Sequence, residues 1–249
     1  MNHQHRRQFL RSLVLAGATL YFPACKRDKP NPSPTPNPMP PAPDTLKKVE
    51  EIVEQMEEDF KSQNVLFLRP ANEQYADLNI GFNKRITRQP KIIALPQNVE
   101  GVSEAVRYAK QFKLPVAVKS GGHSFEGFSS NDGGMCINLS LFKNIDWIDD
   151  DTVKMGSGVK LFETYDALLP KGKILPAGSC ATVGIAGLVL GGGYGLFARK
   201  FGLTCDSLLG LTMVDGDGKI HRVEGEDELM WANRGGNNGN FGVVTDFTF

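Results

Sequence analysis

Two spacings of apolar residues alternate along this chain. From Thr45 to Gln63, Leu46, Val49, Val53, Met56 and Phe60 recur at helical intervals with acids between them, which predicts an amphipathic helix. "PKIIALP" then reads as a short strand. "NVEGVSEAVRYAKQF" sets Val99, Val102, Val106 and Ala109 on one helical face, and "PVAVKS" reads as a second strand. This strand, helix, strand unit predicts an α+β or α/β fold. Beyond it, "CINLSL" and "TVKMGSG" read as strands and "KLFETYDALLP" as a helix. "LLGLTMVDGDGKIHRV" reads as a hairpin with an Asp-Gly turn, and "FGVVTDFTF" alternates as a half-buried strand does.

One stretch fits neither spacing. Between Leu175 and Leu208 glycine stands at 178, 184, 187, 191, 192, 193, 195 and 202. Each glycine inside a helix costs about 1 kcal/mol against alanine, so this is no simple helix. Such a run is expected where backbone passes close to something flat or bulky, as a wall along a ligand.

Composition narrows the classes. With 249 residues, 41% of them hydrophobic, the chain can bury a core. Lys+Arg and Asp+Glu both number 28, so no basic field is available to recruit nucleic acid. No apolar run reaches the roughly 20 residues that span a bilayer as a mature helix.

The amino terminus is organised differently. Residues 1–25 have the layout of an export signal, a basic stretch and then an apolar one from Leu13 to Phe22. Arg6 and Arg7, followed by Phe9 and Leu10, resemble a twin-arginine signal, with an ordinary basic stretch as the alternative. Cys25 in "FPAC" also resembles the lipidated residue of a bacterial lipoprotein. Phe22 and Pro23 depart from that pattern, so cleavage without lipid and an untouched thiol are the alternatives. Residues 26–44 hold eight of the fifteen prolines and read as an extended spacer. The expectation is an exported protein of the periplasm or cell envelope, with lipid at Cys25 as one route to a membrane. A helical segment over 45–89 follows the spacer, and a larger domain covers 90–249.

The candidate chemistry lies at two glycine-rich places. Ser120, Gly121, Gly122, His123 and Ser124 form a turn after a strand, where backbone N–H groups can converge on a phosphate with no Cβ in the way. Cys180 stands at the mouth of the longer run. Alone, the histidine reads as a satisfied surface or core residue and the cysteine as an inert thiol.

Taken together, "SGGHSFEGFSS", "LPAGSCATVGIAGLVLGGGYGLFARKFGL" and "WANRGGNNGNFGVVTDFTF" resemble, in order, three blocks of a known family. These are the covalent-FAD oxidoreductases of the vanillyl-alcohol oxidase superfamily, in their berberine-bridge-enzyme-like branch. The resemblance implies an α+β fold, a PCMH-type FAD-binding domain of two α/β subdomains, with the substrate domain absent from this chain. It implies FAD held covalently by His123 at the 8α-methyl carbon and by Cys180 at ring carbon 6. Ser120, Gly121, Gly122, His123 and Ser124 would cradle the pyrophosphate. Gly178, Thr182, Val183, Gly184, Gly187, Gly242 and Val244 would line the rest of the cofactor. No metal is implied.

The implied reaction is hydride transfer from a small CH–OH donor, such as a sugar or alcohol, to flavin N5, with oxygen or another electron acceptor. A flavin-binding module without turnover is the alternative. A cysteine–histidine hydrolase would leave both glycine blocks without purpose. Lys119 departs from the arginine that relatives often carry there, and a lysine cannot make arginine's bidentate fork. Arg234 reads equally as a cofactor contact or a solvated charge, and Asp206, Asp215 and Asp217 read as capping and turn residues. Cys136 and Cys205 could pair in an oxidising compartment, although buried free thiols are the simpler reading. No catalytic base is assigned; His221 and Glu126 titrate, but their places in the sequence give them no role.

Overall fold

The two strands flanking the helix predicted over 98–112 do not pair with each other; a third lies between them. In the computed structural model, which describes residues 62–236 and 238–249, β1 (Val65–Leu68), β2 (Ile92–Pro96), β3 (Val116–Lys119) and β4 (Met135–Asn138) form one sheet. Its order is β1-β2-β4-β3. β2 and β3 each run parallel to β4, whereas β1 adds antiparallel at the edge. Parallel neighbours need a crossover, and α2 (Val99–Gln111) supplies it. Asn98 caps that helix, its side-chain oxygen accepting from Gly101 N–H at 2.9 Å. The helix buries Val102, Ala105, Val106, Tyr108 and Ala109 with Ile92, Met135 and Ile137 of the sheet.

The second sheet is antiparallel throughout. β5 (Ile145–Trp147), β6 (Val153–Gly156), β7 (Gly210–Val214), β8 (Ile220–Glu224) and β9 (Val243–Thr248) lie in the order β5-β6-β9-β7-β8. The β7–β9 register jumps between Thr212 and Met213, leaving Thr245 as the extra residue of a bulge. α3 (Leu161–Leu168) and α4 (Ile185–Leu190) pack with this sheet, in a core of Met155, Leu161, Ile185, Val189, Met213 and Phe247. Burying each such side chain stabilises the fold by about 1.5–3 kcal/mol. The two sheets and their helices make an α+β fold in two parts.

The strands expected at 90–96, 115–120, 136–141, 152–158, 208–223 and 241–249 all appear, as do both interior helices. The 45–89 segment differs from expectation over its described part. Val65–Leu68 is a strand rather than helix, because Val65 and Leu68 bury against β2, and α1 (Tyr75–Asn79) is the helix there. The rest of the helix expected over 45–63, the spacer and the export signal lie outside the described residues, apart from 62 and 63. Cys136 and Cys205 are both free and buried, in different hydrophobic clusters, so the pairing reading fails in this fold. Among the described residues no helix is long and apolar enough to cross a membrane.

The β7–β8 hairpin turn is latched onto α2. Ser103 Oγ donates to Gly218 O at 2.5 Å, Arg107 Nη2 donates to the same oxygen at 3.2 Å, and Lys110 pairs with Asp217. Asp215 holds the turn itself, one carboxylate oxygen on the N–H groups of Asp217 and Lys219 and the other 2.7 Å from His221 Nε2. First the His221 imidazole and then the turn N–H groups bring the Asp215 carboxyl down to about 2, from 3.8. A depressed carboxyl stabilises the fold above its unfolded value, and that contribution is lost as pH falls through the folded one. Asp215→Asn should therefore be less stable than the unaltered chain above pH about 4, with the gap closing toward pH about 2. Urea unfolding at both pH values checks this, and a gap independent of pH refutes it.

Candidate functional site

His123 and Cys180 come from different sheets' connections, and one hydroxyl joins them. β3 ends at Lys119 and the chain turns through Ser120–Ser124, with Gly122 at φ +70°, a region that favours glycine. Gly121 and Gly184 stand back to back. A Cβ on either would fall inside the other's backbone, so the turn and the start of α4 approach as only two glycines allow. Ser120 Oγ donates to Ser157 O at 2.6 Å and anchors the turn to the end of β6. On the other side, residues 181–185 run against the entry to α3. Phe162 N–H donates to Ala181 O, Leu161 N–H to Val183 O, and Ile185 N–H to Val159 O, with Lys160 bridged to Gly184.

This arrangement carries Thr182 to the imidazole. Thr182 Oγ1 lies 2.9 Å from His123 Nε2 and 3.8 Å from Cys180 Sγ. Phe82 stacks on the other side of the site, its ring centroid 4.4 Å from that of His123 at an interplanar angle of 20°. Phe82 N–H donates to Gly122 O, and Asn83 Nδ2 donates to Phe125 O, so the 79–88 loop is strapped to the turn. Burial, and after it the Lys160 charge, pull the imidazole below its ordinary range, against a smaller opposite pull from the Thr182 main chain. Both influences favour the neutral imidazole, the form with a nucleophilic ring nitrogen. Cys180 is exposed and free.

Beside this pair the backbone offers unspent donors. The N–H groups of Gly121, Gly122, His123 and Ser124 donate to no described residue, four in succession along one turn. Consecutive free N–H groups in a glycine turn suit a phosphate or pyrophosphate. Gly187 lies exposed on α4, with open space where a Cβ would stand, so a flat ligand can lie against that backbone. An exposed thiol, a neutral imidazole, an anion-binding turn and an open backbone face are together a fit for FAD.

The remaining sequence-selected residues fall in several places. Gly178 is positioned by Tyr165, whose hydroxyl donates to its carbonyl oxygen at 2.5 Å. Val183 packs against the second core, and Val244 is buried within it. Gly242 backs onto Val214 O, at φ +152°. Gly193 and Gly195 face Thr204 and Ala177 O, so part of the glycine density serves chain against chain. Lys119 runs alongside Gly122, its Cε 2.9 Å from where a Cβ there would stand, and donates to Leu78 O at 2.5 Å and Ile80 O at 2.7 Å. Arg234 Nη2 donates to Leu208 O, and Asp206 caps Leu203 N–H. His221 is engaged by Asp215, and Glu126 is exposed. Phe82 and Lys160 are site residues that no motif or periodicity marks.

Comparison with known proteins agrees with this chemistry. The FAD binding domain family matches residues 90–224. An uncharacterized FAD-linked oxidoreductase of Bacillus subtilis, YgaK, is 39% identical over 186 residues, which are 70% of this chain and 40% of that protein. Berberine bridge enzyme-like 12 of Arabidopsis thaliana is 41% identical over 68% of this chain and 33% of its own length. Among solved structures, glucooligosaccharide oxidase from Acremonium strictum superposes with a TM-score of 0.70 at 34% identity, covering 74% of this chain and 40% of that one. That oxidase carries a 6-S-cysteinyl, 8α-N1-histidyl FAD. The chain thus spans about 33–40% of the length of such relatives. With the matched domain, the fold and the two glycine blocks in agreement, this chain belongs to the FAD binding domain family and has berberine-bridge-enzyme-like FAD-linked oxidoreductases as its relatives.

Proposed function

We propose that this chain is the FAD-holding part of an exported oxidoreductase, with the cofactor joined to both His123 and Cys180. The proposed donor is a CH–OH compound such as a sugar or alcohol, with oxygen or another molecule taking up the electrons. The observation that carries this reading is the convergence of His123 and Cys180 on Thr182, beside four backbone N–H groups that donate to no described residue. Supporting it, glucooligosaccharide oxidase has both a cysteinyl and a histidyl link, and its name gives a carbohydrate donor. Thr182 engages Nε2 of His123, which leaves Nδ1 as the ring nitrogen free for a bond.

Bound at this site, FAD would supply the hydride acceptor at N5; the protein's part is to bind, orient and exclude. The turn at 120–124 would hold the pyrophosphate by its N–H groups, and Gly187 would let the flavin lie close. Export is supported by the Arg6–Arg7 signal and the proline-rich spacer, with lipid at Cys25 as a further proposal. FAD is made in the cytoplasm, so a carrier folded around it suits a twin-arginine route.

The test is acid precipitation of the full chain after expression with FAD. Flavin should stay with the pellet in the unaltered chain, and also in His123→Ala and Cys180→Ala, each by its one remaining bond. The double substitution should release all of it. Complete release of flavin from the unaltered chain overturns the double-anchor reading.

A further inference from the structure

The hydroxyl that joins the two attachment residues has a direction. A threonine hydroxyl carries one proton to donate and two lone pairs to accept with. Thr182 Oγ1 meets two partners, His123 Nε2 at 2.9 Å and Cys180 Sγ at 3.8 Å. It can donate to one of them while accepting from the other. If Oγ1 donates to Nε2, the ring proton sits on Nδ1, and the nitrogen left free of protein contacts is no nucleophile. If Nε2–H donates to Oγ1, Nδ1 keeps its lone pair and the threonine proton is left for sulfur. Phe82, stacked at 4.4 Å, fixes the plane of the ring so that Nε2 stays on Thr182.

We infer that Thr182 is the positioning residue shared by both attachment points, through the directed chain His123 Nε2–H to Thr182 Oγ1–H to Cys180 Sγ. One hydroxyl thereby selects the imidazole tautomer with a nucleophilic Nδ1 and at the same time donates to the Cys180 sulfur. The two links are then prepared together rather than independently. This inference rests on the double-anchor reading for its purpose, but the hydrogen-bond chain belongs to the protein alone and is measurable without flavin.

The experiment uses the full chain prepared without flavin, as the unaltered protein, Thr182→Val and Thr182→Ser. Imidazole 15N shifts, with the His123 signals identified by their loss in His123→Ala, report which nitrogen holds the proton. Alkylation by iodoacetamide, resolved by peptide mass, reports the reactivity of Cys180, with buried Cys136 and Cys205 staying slow as the check on folding. The unaltered chain should show Nε2–H. Thr182→Val should lose that preference and alkylate at Cys180 about fivefold more slowly, the scale of one lost hydrogen bond. Thr182→Ser should restore both, which a merely structural role would not require. An Nδ1–H tautomer in the unaltered chain, or a Thr182→Val chain equal to it in tautomer and alkylation, overturns the inference. Tautomer and alkylation that behave as stated, in a chain that then binds FAD only loosely, keep the hydrogen-bond chain and instead refute the double anchor.

Discussion

Gly184→Ala should lower the stability of the domain by about 3 kcal/mol, the upper range for overpacking, and should abolish flavin retention. The added Cβ would fall on Ser120 Oγ and on the nitrogen and α-carbon of Gly121. Two of these are backbone, and the third is fixed, since Ser120 Oγ donates to Ser157 O at 2.6 Å. The neighbours therefore cannot give way by a rotamer change, and the turn at 120–124 must move off α4. That movement parts His123 from Thr182 and disperses the row of free N–H groups. Gly187→Ala is the control on the same helix. Its Cβ meets nothing within 4 Å, so it should leave the fold intact or gain up to about 1 kcal/mol from helix propensity. Thermal unfolding of both variants makes the comparison, and a Gly184→Ala chain that melts with the unaltered one refutes the interlock.

That contrast bears on how much of the site the sequence reveals. α2 and the Asp-Gly hairpin are legible because their patterns are local and repeat over several turns or rungs. β5 has three residues and β1 four, one of them exposed, too few for alternation to stand out. The order β1-β2-β4-β3 was not legible either, because insertion of β4 between β2 and β3 is set by packing across the sheet. The glycine run reads as a wall along a ligand, and the fold assigns it two duties. Gly184, Gly193 and Gly195 admit neighbouring chain, whereas Gly187 opens to space. Spacing along the chain cannot separate those duties, since each demands only the missing Cβ. His123 and Cys180 were found through resemblance to a family, and their meeting at Thr182 is a product of the fold. Phe82 leaves no sequence signal at all, since an aromatic in a loop gains its partner only when that loop is strapped across the turn.

Lys119→Met should cost about 1 kcal/mol, the scale of one lost hydrogen bond, and should loosen His123 without touching it. Lys119 closes β3 opposite Asn138 and is only 7% exposed, although it is a cation. Burial, its largest influence, pushes its amino group below the ordinary lysine range. What keeps it in place is the pair of carbonyl oxygens at the end of α1. Nζ donates to Leu78 O at 2.5 Å and to Ile80 O at 2.7 Å, while Asn138 Nδ2 also donates to Leu78 O at 3.2 Å. Methionine keeps much of the volume and removes both donors, so Leu78 O retains Asn138 and Ile80 O is left with nothing. Ile80 is two residues from Phe82, and Phe82 both binds Gly122 O and stacks on His123. Loss at Ile80 therefore reaches the imidazole through the loop. Urea unfolding measures the first effect, and covalent flavin per chain in the acid-precipitated pellet measures the second. Equal stability to the unaltered chain would show that the buried ammonium contributes no more than the methylenes that carry it. A stability loss with undiminished covalent flavin would show instead that Phe82 holds His123 independently of the α1 carbonyls.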